Sequence, residues 1–310
     1  MSTIKKKKLR IKKKNFIILL FILFLFIFLT TKTVKMISHT IKNHKENKVV
    51  EKQKPQKRIE EKKVEEKTTI EDNKPSYYKE EYKERYEKYQ NNHPELSEEQ
   101  IIKNVNMQLD KTHYEDPIPA QYLNTEKVLV NKYYYLGSDY VPDNLETISV
   151  QYALSDMKLV HEAKEAFETL AKSAKRQNLN IVAMSTYRSY KYQVNLWNKY
   201  AKQDGEEKAD TYSGRAGHSE HQTGLAVDVY NEKETYTNFE KTKEFDWMQE
   251  HAHEYGFILR FPKDKVAETG YQYESWHYRY VGIDAATYIK ENNISFEEYY
   301  ATVIENEKNS

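Results

Sequence analysis

The sequence predicts an α+β domain: a small antiparallel sheet with flanking helices. Three observations lead there. Helix-period segments open the region from residue 150 to 303, short β-branched and aromatic runs follow, and the links between them are short. Ser155 is read as the cap of a helix to residue 177, with Leu159, Ala163, Phe167, Leu170 and Ala174 on its inner face. IVAMST then reads as a strand ending at Tyr187-Arg188-Ser189, and Ser189 opens a helix to about Gln203. LAVDVY is a strand, FDWMQEHAHEY a helix stopped by Gly256, and FILRF and YESWHYRYV are strands, the last alternating in character.

Ahead of this domain the chain changes character several times. Residues 1–15 form a basic tail holding eight of the 49 Lys+Arg, which leaves 41 against 48 Asp+Glu in the remainder. The body is thus acidic, which argues against a nucleic-acid partner, whose basic charge would lie on the folded domain. FIILLFILFLFIFL follows, within a segment 16–31 read as a transmembrane anchor. Its fourteen residues cover roughly 21 Å, and Thr30, Thr31 and snorkelling lysines extend it toward a ~30 Å hydrocarbon core. A cleaved signal peptide is the rival reading, but no small-x-small cleavage site follows. The basic excess places the N-terminus in the cytoplasm and the rest outside, as a single-pass membrane protein.

Residues 32–75 are Lys/Glu/Gln/Asn-rich and poor in large apolar residues, a composition that buries no core and reads as a tether with an r.m.s. span of roughly 35 Å. Residues 76–149 are read as an extension of helices and loops wrapping the main domain, and 304–310 as a tail. In the extension, Tyr78, Tyr82, Tyr86 and Tyr89 make one helical stripe, either a stacking platform or a packed face. Ser97 and Gln100 stand at capping-box spacing before a short helix. EKVLVNKYYYL reads as loops and short strands.

The chemistry concentrates in GHSEHQTGLAVDVY, Gly217 to Tyr230. On a strand, Leu225, Val227 and Val229 turn to the core, while Ala226 and Asp228 face the other way beside open space. His221 lies in the preceding turn, which Gly224 lets come close. The chain has no cysteine, so any metal must be held by imidazole and carboxylate, both of which zinc accepts. A third ligand is best supplied by His277, and Glu274, three residues earlier, is placed to act as general base. The other histidines carry plainer readings: His218 beside the motif as a supporting or solvent residue, His251 and His253 on different faces of one helix, and His161 as an ordinary helix residue.

Ser219-x-His221-x-x-Gly224-x-Ala226-x-Asp228, followed by Glu274-x-Trp276-His277, resembles the zinc D-alanyl-D-alanine carboxypeptidases of the VanY type, which share a fold with D-Ala-D-Ala dipeptidases and more distantly with lysostaphin. LVNKYYYL, STYRSYKYQ and ETGYQYESWHYRYVG fall in the family's order, and the resemblance covers about residues 126–303. It implies one Zn²⁺ held by His221, Asp228 and His277, Glu274 as catalytic base, and substrate contacts from Arg188, Gln193 and Ser219. A guanidinium fork is the natural partner of a terminal carboxylate. The plainer alternatives are a surface charge for Arg188 and a turn cap for Ser219.

The implied reaction is removal of the terminal D-Ala from peptidoglycan stem peptides. An L,D-carboxypeptidase acting on tetrapeptide stems and a catalytically silent wall-binding module are the alternatives. Three positions depart from the pattern: Thr186 where relatives commonly have Gly, Ser275 for Pro and Phe261 for Tyr. Only the hydroxyl missing at Phe261 is expected to bear on substrate or oxyanion.

Overall fold

A computed structural model describes residues 74–307. A single 3₁₀ turn, Glu80–Tyr82, leads into α1 (Lys83–Asn92), and α2 (Glu98–Asn106) follows with the capping box on Ser97 and Gln100 formed in full. Tyr77, Tyr78, Tyr82 and Tyr89 pack around buried Tyr86, Ile101, Ile102 and Val105, so the tyrosine stripe is a packed face between these two helices. Two short strands, β1 (Ile118–Pro119) and β2 (Tyr134–Tyr135), pair in parallel, and β3 (Leu145–Thr147) pairs antiparallel with β4 (Lys158–Val160).

The helix expected from Ser155 begins later. Asp156 adopts a left-handed backbone, φ 64°, which interrupts a right-handed helix, and Leu159 is taken up as a strand residue opposite Glu146. The helix, α3, therefore runs His161–Arg176. It buries Ala163, Phe167, Leu170, Ala171 and Ala174, one apolar face at helical spacing.

Beyond α3 come β5 (Val182–Ser185), α4 (Tyr190–Asp204) with Ser189 as its cap, the one-turn α5 (Glu206–Ala209), a 3₁₀ turn at Glu220–Thr223 and β6 (Ala226–Tyr230). Then follow α6 (Lys243–His251), β7 (Phe257–Leu259), α7 (Val266–Thr269), β8 (His277–Tyr280), α8 (Ile283–Asn292) and α9 (Phe296–Tyr299), which runs on through a π turn to Ile304. The last strand is shorter than YESWHYRYV suggests, because Glu274 to Trp276 form the turn that enters it.

Four of these strands make one antiparallel sheet in the order β5-β6-β8-β7. One face carries Leu225, Val227, Val229 and Tyr278 into the main core against Phe167 and Leu170 of α3 and Met248 of α6. That core also takes in Val128, Val130, Leu136 and Ile148, so packing crosses the expected boundary at residue 150. A second cluster reaches from Leu129 and Tyr134 to Phe296, Tyr300 and Ile304, so residue 304 belongs to the packed body rather than to a tail. The two ends of this body meet: Asn306 donates to Ser76 Oγ at 3.0 Å, and Lys79 pairs with Glu305.

Among the described residues no helix is long and apolar enough to cross a membrane. The apolar run at 16–29 and the tether up to residue 73, on which the anchor expectation rests, lie outside the described residues.

Candidate active site

Opposite residues of paired strands share a face, and this brings the candidate ligands together. Asp228 on β6 stands directly opposite His277 on β8, and on the other flank opposite Ser185 of β5. The β5–β6 register shifts between Ala183 and Ser185. This irregularity turns both Met184 and Ser185 to the cavity and carries the Thr186 carbonyl to His221. His221 sits in the 3₁₀ turn just before β6, which ends at Gly224 in the left-handed region, φ 69°.

His277 Nδ1 lies 2.9 Å from Asp228 Oδ1, and His221 Nε2 lies 3.3 Å from Asp228 Oδ2. The two imidazoles stand edge to face, centroids 5.0 Å apart. One donor atom from each of His221, Asp228 and His277 falls within 4.8 Å of the others, and all three residues are buried. His221 Nδ1 donates to Thr186 O at 2.7 Å, leaving Nε2 as the atom facing Asp228. Two neutral-capable imidazoles and one carboxylate converging in this way are the donor set that zinc takes at catalytic sites, so the residues fit the metal.

Burial and neighbouring charge shift the four groups in different directions. Burial holds His221 low, to about 4, favouring the neutral imidazole a metal needs. Burial opposes charge on Asp228, yet the two histidines outweigh it and keep the carboxyl well below its usual range. His277 is raised in spite of burial, chiefly by its hydrogen bond to Asp228. Burial drives Glu274 up to about 8, a carboxyl poised to exchange a proton near neutral pH. Glu274 Oε2 is 3.9 Å from His277 Nδ1, and its backbone is fixed by a bond from Glu274 N to Phe261 O at 3.1 Å.

Arg188 sits at the junction of β5 and the α4 cap, its N–H bonded to His221 O. Its guanidinium reaches the cluster, with Nη2 3.3 Å from Asp228 Oδ2 and Nη1 donating to Gln193 Oε1 at 3.1 Å. Gln193 is buried and its amide also donates to Gly214 O and Ser213 Oγ, so its bonds go to Arg188 and to the 213–214 turn. Ser219 lines the cavity and makes no side-chain cap on the turn it precedes. Phe261 stacks within 4.9 Å of the His277 ring and 4.8 Å of Tyr271. The Thr186 hydroxyl instead accepts the Lys158 N–H, away from the cluster.

The cavity above these groups measures about 410 Å³, with Tyr192, Tyr200, Tyr236 and Trp276 among the aromatic residues on its walls. His218 also lines it, its Nδ1 2.8 Å from Asn131 O. Sequence reasoning missed four charged residues behind the cluster: Glu220, Arg260, Arg279 and Glu297. The signal was present in the strands, since Arg279 alternates with aromatic residues in a segment expected to be buried, and a buried charge demands a partner.

A buried His-Asp-His cluster with a carboxyl and a guanidinium at its edge, all opening to one cavity, defines a metallopeptidase site of the carboxypeptidase kind. Comparison with known proteins agrees. Residues 156–283 match the VanY family, described as D-alanyl-D-alanine carboxypeptidase. The chain is 38% identical over 189 residues to YodJ of Bacillus subtilis (strain 168), a carboxypeptidase by name, covering 58% of this chain and 69% of that one. It is 32% identical over 177 residues to VanXYC of Enterococcus gallinarum, a bifunctional D-Ala-D-Ala dipeptidase and D-Ala-D-Ala carboxypeptidase, covering 56% and 92%. Among solved structures, the LdcB LD-carboxypeptidase superposes with a TM-score of 0.57 at 36% identity, over 60% of this chain and 91% of that one. The chain belongs to the VanY family of carboxypeptidases.

Proposed function

We propose that this protein removes the terminal D-Ala from D-Ala-D-Ala-ending peptidoglycan stem peptides, as a D,D-carboxypeptidase. The observation that carries the reading is the placement of Arg188 and Glu274 beside the same His221–Asp228–His277 cluster in one cavity. A guanidinium there selects a free carboxylate, which makes the enzyme an exopeptidase. His221, Asp228 and His277 would hold zinc, which would supply a Lewis acid and lower the pKa of water.

Arg188 binds the terminal carboxylate, and Gln193 holds the guanidinium in place through Nη1. Glu274 takes a proton from the attacking water as its oxygen adds to the carbonyl carbon. It returns that proton to the leaving amine as the C–N bond breaks, so the carboxyl ends the cycle in its starting state. Ser219, at the cavity wall, is placed to hydrogen-bond the peptide.

A second reading, L,D-cleavage of tetrapeptide stems, has support in the likeness to LdcB. The name of VanXYC supports the D,D reading. Mass spectrometry of pentapeptide and tetrapeptide muropeptides incubated with residues 74–310 decides between them. Loss of one alanine from the pentapeptide is expected, and loss from the tetrapeptide alone would overturn the assignment.

The basic tail and apolar run support a further part of this proposal, an N-terminal anchor with the catalytic domain outside the membrane at the wall. Protease added to wall-stripped cells should then remove the domain, and a protected full-length domain would refute the topology.

A further inference from the structure

Directly behind the metal cluster lies a set of buried charges that the reaction does not use. Glu220, Arg260, Arg279 and Glu297 are each at most 4% exposed. Glu220 Oε1 accepts from Arg260 Nε at 2.8 Å and from Arg279 Nη1 at 2.9 Å. Arg260 places its two remaining nitrogens on both oxygens of Glu297, at 2.8 and 2.6 Å, and Asn131 adds a further donor to Glu297. Arg279 is held in turn by the carbonyls of Val128, Glu126 and Tyr280. Glu220 Oε2 alone is left over. It lies 3.5 Å from His277 Nε2, and neither of these buried atoms has a hydrogen-bond partner, so each is the other's nearest available match.

The sheet explains the alignment. Arg279 lies two residues beyond His277 on β8, hence on the same face, and Arg260 bonds its N–H to His277 O from the end of β7. Burying so many charges is costly, and well-packed apolar residues of similar volume would often serve stability equally well. A carboxylate clamped by two arginines has one property an apolar residue lacks: it only accepts hydrogen bonds. Placed at Nε2, it demands the proton there and leaves the Nδ1 lone pair for the side that faces Asp228. His221 obtains the same orientation from a backbone carbonyl, which no side-chain change can remove.

We propose that Glu220 is a positioning residue of the zinc site. It fixes His277 as the Nε2–H tautomer, and Arg260 and Arg279, bonded to its other oxygen, hold Glu220 in the one pose that does this. The inference rests on His277 being a zinc ligand.

The test is zinc affinity, measured by chelator competition on wild type, Glu220→Gln, Glu297→Gln and His277→Ala. Glu220→Gln keeps the shape but offers an N–H to Nε2, and it should weaken zinc about 10- to 100-fold, the usual cost of losing such a partner. Glu297→Gln removes the same charge from the same network one arginine further away. It should lower the melting temperature yet leave zinc affinity within a few-fold of wild type. Wild-type affinity in Glu220→Gln, or an equal loss in Glu297→Gln, would overturn the proposal. Wild-type affinity in His277→Ala would instead sink the ligand reading beneath it. If Glu220→Gln does not fold, nitrogen NMR of the zinc-loaded wild type decides: zinc on Nδ1 with the proton on Nε2 is expected, and zinc on Nε2 overturns it.

Discussion

Asp228 carries three relationships at once: its oxygens lie 2.9 Å from His277 Nδ1, 3.3 Å from His221 Nε2 and 3.3 Å from Arg188 Nη2. Removing it would take a carboxylate from the proposed ligand set and leave the half-buried Arg188 guanidinium without this counter-charge. Asp228→Ala should therefore abolish activity and sharply reduce zinc content in the purified protein, and a variant with full zinc and full turnover would refute the ligand set. Glu274→Gln separates binding from chemistry. The amide keeps the shape but cannot take a proton, so zinc should be retained while kcat falls by at least about 10²–10⁴-fold. Phe261 sets an apolar ring between His277 and Tyr271, its centroid 4.9 Å from the one and 4.8 Å from the other.

At the scale of elements, the His221–Asp228–His277 cluster depends on two local features. One is the register shift in β5, which delivers the Thr186 carbonyl to His221. The other is Gly224, which ends the His221 turn in a left-handed conformation. A Cβ there would stand 2.9 Å from Leu145 Cδ2 and 3.1 Å from Val160 Cγ1. Gly224→Ala should thus cost about 1–3 kcal/mol in a urea melt, through backbone strain and crowding, and it should loosen zinc by shifting His221. An unchanged melt would show that the turn relaxes without cost.

Elements whose causes are local were legible in the sequence. Ser97 with Gln100 and Ser189 cap their helices as their side chains dictate, and the alternation through LAVDVY sent Asp228 to the open face. The start of α3 was not legible, because Leu159 fits a helix face and a strand face equally well, and only pairing with β3 decides between them.

Across the whole molecule, what stayed hidden comes from distant partners. The partners of Arg260 and Arg279 are set only by the fold, where Glu220 and Glu297, up to 59 positions away in the chain, close around them. The packing of residues 126–149 and of Ile304 into shared cores was hidden for the same reason: burial is decided by the assembled body and not by the segment's own composition.

The contact between the beginning and end of that body, Ser76 with Asn306 and Lys79 with Glu305, has a topological meaning. The chain from 74 to 307 is nearly a closed ring, and where it is cut should matter little so long as the cut falls in an exposed turn. Gln177 and Asn178, exposed between α3 and β5 and absent from the cavity walls, offer such a place. A circular permutant that begins at Asn178, joins the old ends through a short glycine-serine linker and finishes at Gln177 should fold, bind zinc and cleave substrate at near the parental rate. Failure of that permutant to fold would show that the order of synthesis, and not only the final contacts, is needed to build the site.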